Sequence, residues 1–187
     1  MKRKSKKMLF LEFTKDYGPG ADLILATGAV CHGIKTEEFQ YTDAQELWTY
    51  LSKSDHDKYD YIFIAAHGSA KGVYEGRDSD IAMSWSELSY ALCGNPGLSE
   101  ECVVYLGCCK GGLERIANIL MIHCPLIYYV CGSECNVTPN EVGIAFRTFC
   151  EHHRKGADSK RIVEAASSAS GKGFTMYSRY ELSLIHI

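Results

Sequence analysis

Tyr59-Asp60-Tyr61-Ile62-Phe63-Ile64-Ala65-Ala66-His67-Gly68 is the stretch on which the fold turns. Its six successive apolar residues, 61–66, are bounded by polar groups and read as a strand buried on both faces, the pattern of a parallel sheet with helices on each side. A second run of this kind, Cys102-Val103-Val104-Tyr105-Leu106, lies farther along, and residues 8–13 and 126–131 supply two more. Residues 35–41 are a weaker strand candidate and 174–180 a last one.

The segments between these strands carry helical signals. Residues 21–30, after the Gly18-Pro19-Gly20 loop, read as a short helix. Thr42-Asp43 can cap a helix whose Ala44, Leu47, Trp48 and Leu51 recur at helical spacing. Residues 68–80 hold three glycines and read as a loop or small hairpin. Ser84-Trp85-Ser86-Glu87 has capping-box spacing and starts a helix that Asn95-Pro96-Gly97 ends. Further helices are expected over 113–122, over 140–153 with Val142, Ala145, Phe146 and Phe149 on one face, and over 161–169. Alternating strands and helices give an α/β fold, a three-layer α/β/α sandwich around a mostly parallel sheet.

With 187 residues, 46% hydrophobic and 23% charged, the chain has room for one globular domain, expected over 8–181. Five of its 20 basic residues lie in a tail over 1–7; fifteen basic against 23 acidic groups remain, a net of −8. An acidic body argues against a nucleic-acid groove, which needs clustered cations. Residues 8–13 are too short for a signal-peptide core and no run is long enough to span a bilayer, so no membrane partner and a cytoplasmic location are expected. Nine cysteines, an odd number with no export signal, read as reduced thiols. They lack C-x-x-C pairs, and no metal and no cofactor are expected. Leu182-Ser183-Leu184-Ile185-His186-Ile187 resembles a translated sequencing-adaptor end and is set aside as non-native; the natural chain is then expected to continue past Glu181.

Functional residues of parallel sheets gather at the carboxyl ends of strands. Two places answer that rule: His67-Gly68 and Cys108-Cys109-Lys110-Gly111-Gly112. If their strands are neighbours, an imidazole and a thiol share one edge. That is the pair that nucleophilic acyl transfer needs, the imidazole taking the thiol proton and returning it to the leaving amine. The N–H groups of Gly68 and of the nucleophilic cysteine can hold the oxyanion. A helix starting soon after the cysteine would favour its thiolate.

Ile64-Ala65-Ala66-His67-Gly68, the segment Val103-Val104-Tyr105-Leu106-Gly107-Cys108-Cys109-Lys110-Gly111 and the helix beyond it resemble the caspase-haemoglobinase group of cysteine peptidases, and within it the CHAT (caspase-like, separase-related) domains. Residues 137–157 and the helix at 162–166 are similar to the segment that ends CHAT domains. The resemblance implies a cysteine endopeptidase acting on a protein or peptide substrate, gated by a regulatory protein partner, in a microbial defence or cell-death role. It favours Cys109 over Cys108 as nucleophile, because Cys109-Lys110-Gly111 matches the cysteine, polar, small frame of caspases. The Gln-Ala that precedes Cys-Arg-Gly in true caspases is missing, as is an aspartate-rich linker. A catalytically silent caspase-like interaction module, and a hydrolase of another acyl substrate, are the competing readings.

Substrate choice has two readings. Asp78 or Asp80, with Gly132, Ser133 and Glu134, would make a pocket for a basic residue; Tyr129, Cys131 and Val137 would make an apolar one. His152 and His153, near a helix end, are expected to answer the helix dipole.

Overall fold

The fold is taken from a computed structural model that describes residues 6–13, 28, 33–52, 58–74 and 80–180. The eight strands among these residues are β1 (Lys7–Phe13), β2 (Lys35–Gln40), β3 (Tyr59–Gly68), β4 (Gly72–Tyr74), β5 (Ile81–Ser84), β6 (Leu98–Gly107), β7 (Ile127–Ser133) and β8 (Phe174–Ser178). The helices among the described residues are α1 (Ala44–Leu51), α2 (Trp85–Cys93), α3 (Glu114–His123), α4 (Pro139–Arg154) and α5 (Ser159–Ser170). The main sheet runs β2-β1-β3-β6-β7-β8, parallel except for the antiparallel edge strand β8; β4 and β5 form a hairpin on the end of β3. The α/β, mostly parallel architecture is therefore the one expected.

Alternation along the strands divides the core in two. Ile62, Ile64 and Ala66 of β3 and Val104 and Leu106 of β6 face α1, α2 and α3, where Leu47, Leu51, Trp85, Leu88, Ile116 and Leu120 cover them. Tyr61, Phe63 and Ala65, with Val103 and Tyr105, face Phe146 and Phe149 of α4 and Ile162 and Ala166 of α5. Both faces of each central strand are apolar because both are covered.

On the second face a stack of rings crosses the sheet. Phe10 lies 5.1 Å from Phe63 and Phe63 5.0 Å from Tyr105, while Phe146 meets both Phe63 and Tyr105 edge-on at 4.8 Å. Gly107 makes room for it: a Cβ there would stand 2.5 Å from the Phe63 ring.

The helix starts follow their cap residues. Asp43 accepts from the Glu46 N–H at 2.8 Å and Asp158 from the Arg161 N–H at 2.9 Å, and Ser84/Glu87 and Thr138/Glu141 form complete capping boxes. At the other end of α3, the Arg179 guanidinium bonds the carbonyls of Met121, Cys124 and Ile127, tying that helix to the end of β8.

Several boundaries differ from the sequence reading; β6, for one, starts at Leu98 rather than Cys102. β3 continues through His67 and Gly68, because these two pair with Tyr74 and Val73 of the hairpin. β7 starts at Ile127 and runs on to Ser133, where Gly132 and Ser133 pair with Thr175 and Phe174 although neither is apolar. β1 starts at Lys7, and Lys6 pairs with Asp60 at 3.2 Å, so the end of the basic stretch belongs to the fold. The expected helix at 21–30 lies outside the described residues apart from Gly28, which is helical. Residues 182–187 and Asp78 also lie outside them. Among the described residues no helix is long and apolar enough to cross a membrane.

Candidate active site

β3 and β6 are parallel neighbours, with Ala65 opposite Gly107. Beyond that pair His67 and Gly68 follow on β3, and Cys108 and Cys109 follow on the turn after β6, at the carboxyl edge where the hairpin and the β6–α3 turn leave the sheet. Gly68 closes the gap: a Cβ on it would stand 2.7 Å from the Cys108 Sγ and 2.7 Å from the Cys109 carbonyl oxygen. No side chain larger than hydrogen fits there, so this glycine lets the His67 strand end press against the cysteine pair. Donors alternate sides along an antiparallel strand, and the Ser69 N–H donates to the Gly72 carbonyl of the hairpin at 3.0 Å. The N–H of Gly68, one residue back, is therefore turned away from β4.

The two cysteines have different surroundings. Cys108 is 1% exposed and sits in the first core cluster, where burial, reinforced by the adjacent Cys109, pushes its thiol far above the usual range. It stays protonated and inert. Cys109 is half-buried, and its Sγ accepts the Val137 N–H at 3.3 Å while lying 3.6 Å from the Val137 carbonyl oxygen. Val137 directly precedes Thr138, the N-cap of the sixteen-residue α4, so the segment leading into that helix stands at the sulfur. The expected partner for the thiolate was the helix after the cysteine, α3; the contact recorded is with the start of α4.

The turn carrying Cys109 is held from behind. The Gly111 N–H closes it onto the Cys108 carbonyl at 3.4 Å, with Lys110 in the left-handed region at φ +64°. For a residue with a side chain that conformation costs about 1 kcal/mol. The Lys110 N–H donates to the Cys135 carbonyl at 3.1 Å and the Gly112 N–H to the Ser133 carbonyl at 2.9 Å, while the Thr175 hydroxyl donates to the Gly112 carbonyl at 2.6 Å. On the hairpin side, the Trp85 indole donates to the Ser69 carbonyl at 3.0 Å and the Ser69 and Tyr74 hydroxyls bond each other at 2.8 Å. Thus Trp85, buried in the first core cluster, also fixes the segment next to His67.

The candidate substrate residues divide. Ser133 donates its hydroxyl to the Gly173 carbonyl at 2.8 Å and accepts the Cys135 N–H at 3.2 Å, so it clasps the end of β7 to the loop before β8. Glu134 beside it is exposed, and Asp80 is exposed at the entry to β5. Cys131 is fully buried on the second face, its thiol pushed well up by burial, and Tyr129 packs there too. Val137 reaches the sulfur and also lines a small recess with Leu106, Ser133, Glu141, Lys172 and Phe174. At its rim Lys172 pairs with Glu141 at 3.4 Å.

Among the described residues no group of three or more His, Cys, Asp and Glu side chains is placed to hold a metal ion. His153 departs from its expected role at a helix end. It stacks on Phe149 at 5.2 Å and its Nδ1 meets the Tyr61 hydroxyl at 2.9 Å, and burial, with Lys6 adding to it, lowers its tendency to take a proton. The groups that sequence reading missed, the Val137 N–H and the left-handed Lys110, act through the backbone, which residue type does not report. No protein-family model matches the chain, and no curated protein matches it in sequence.

Proposed function

We propose that this chain is a cysteine endopeptidase of the caspase-like, CHAT type, working through a Cys109–His67 dyad on a protein or peptide substrate. The observation that carries the proposal is the meeting of two strand ends. β3 and β6 are neighbours, His67-Gly68 presses against Cys108-Cys109 where only a glycine fits, and of the two thiols Cys109 is the accessible one.

In the reaction His67 takes the Cys109 proton as the sulfur attacks the peptide carbonyl. The N–H groups of Gly68 and Cys109 receive the oxyanion of the tetrahedral intermediate. His67 then returns the proton to the leaving amine, and the C–N bond breaks to leave a thioester. A water, deprotonated by the same imidazole, hydrolyses that thioester and restores the thiol. The Val137 N–H supports the sulfur while it is charged. None of these steps calls for a cofactor. An effector role, gated by a partner protein, follows from the resemblance to CHAT domains.

Acyloxymethyl-ketone peptide probes test the reading. Labelling of the wild type and of Cys108→Ala, lost in Cys109→Ala and His67→Ala, is the expected result. Labelling that survives Cys109→Ala, or that Cys108→Ala alone abolishes, would overturn the assignment.

A further inference from the structure

Lys110 differs from the rest of the site in backbone and in charge. It holds the third position of the turn from Cys108 to Gly111, with φ +64°, the one positive value at a non-glycine residue among the described residues. Positive φ at that position is the type II pattern, where glycine is the usual occupant. Glycine fills the next two positions, so the turn alone does not account for a lysine.

The side chain is half-buried, and among the described residues no carboxylate pairs with its ammonium group. Lys6, Lys155 and Lys172 pair with Asp60, Glu151 and Glu141. In a body of net −8, this cation, with no acidic partner among the described residues, adjoins the nucleophile in sequence. The other charged or titratable groups at this edge are His67, Cys108, Cys135, the exposed Glu134, and Glu141, whose carboxylate Lys172 balances.

We propose that Lys110 is the residue by which the site recognises a carboxylate, so that the preferred substrates are peptides with an acidic side chain flanking the scissile bond. The proposal rests on Cys109 being the nucleophile. An ammonium held on a fixed turn, with its backbone pinned to Cys135, meets a carboxylate near the sulfur without first breaking an ion pair of its own.

Site-resolved alkylation with iodoacetate and iodoacetamide tests this without requiring turnover. The ratio of the two rates cancels the intrinsic reactivity of each thiol and leaves the local charge; the exposed Cys93 serves as reference. In the wild type at low salt the iodoacetate/iodoacetamide ratio at Cys109 should exceed that at Cys93 roughly threefold, as one charge some ~6 Å away in water gives, and should shrink at high salt. Lys110→Gly, which also relieves the left-handed backbone, and Lys110→Gln should both lower the ratio about threefold, while Lys110→Arg retains it. A ratio unchanged by Lys110→Gly and Lys110→Gln, or one no higher than at Cys93 in the wild type, would overturn the proposal. The iodoacetamide rate by itself, compared between wild type and His67→Ala, reports on the dyad, so the two readings fail separately.

Discussion

The aromatic stack on the second face and the carboxyl edge of β3 and β6 share two strands but are built in opposite ways. In the stack, Phe10, Phe63, Tyr105 and Phe146 fill space, and their contacts hold the sheet against α4. At the edge, Gly68 keeps space open, and the close approach of the backbone sets the geometry. Stability is concentrated where side chains are largest, and the site lies where they are smallest. One prediction is that damage to each region leaves a different signature.

The largest effect on stability is expected from Phe63→Ala. Removing a fully buried ring that touches three others should cost about 3–5 kcal/mol, read as a lower urea midpoint. Cys109 should remain the fastest cysteine to alkylate in the fraction still folded. If that order changes, the two regions are not independent.

Gly68→Ala should do the reverse. The added methyl meets the Cys108 sulfur and the Cys109 carbonyl, forcing the two strand ends apart at a stability cost of about 1–3 kcal/mol. Probe labelling of Cys109 should fall out of proportion to that loss. Normal labelling would mean that the close contact does not set the site.

These two positions also mark what the sequence made legible. The runs at 61–66 and 102–106 could be read as buried strands because both faces of each are apolar, and the helix starts because cap residues are chemically distinctive. The hairpin of β4 and β5 has no distinct sequence signature, since strands of three and four residues carry too little alternation to declare themselves. The end of β7 lies beyond its apolar run because Gly132 and Ser133 join the sheet by backbone pairing with β8. His67 and Cys109 could be singled out by their places after buried strands, but their meeting depended on β3 and β6 being neighbours, which is a property of topology. The Val137 N–H at the sulfur and the positive φ of Lys110 had no sequence signal beyond position.

The smallest effect is expected at the far end of the stack. Burial keeps His153 from taking a proton, so its folded pKa lies below the unfolded value of 6.5. The unfolded chain then binds the proton first, and the stability present above pH 6.5 is lost as pH falls toward the folded value. His153→Gln, which retains an acceptor for the Tyr61 hydroxyl, should flatten that decline in denaturant titrations between pH 7 and 5 while leaving Cys109 labelling untouched. An unchanged slope would place the acid sensitivity elsewhere.

The central claim is that Cys109, His67 and the Gly68 N–H act on one substrate carbonyl. A crystal structure of the protein with a peptide aldehyde tests it most directly, because the hemithioacetal reproduces the tetrahedral intermediate. The prediction is a covalent bond to the Cys109 Sγ, with the new oxygen about 3 Å from the Gly68 and Cys109 N–H groups and the His67 imidazole beside the sulfur. An adduct on Cys108 or another cysteine, or an oxygen directed away from Gly68, would contradict the account.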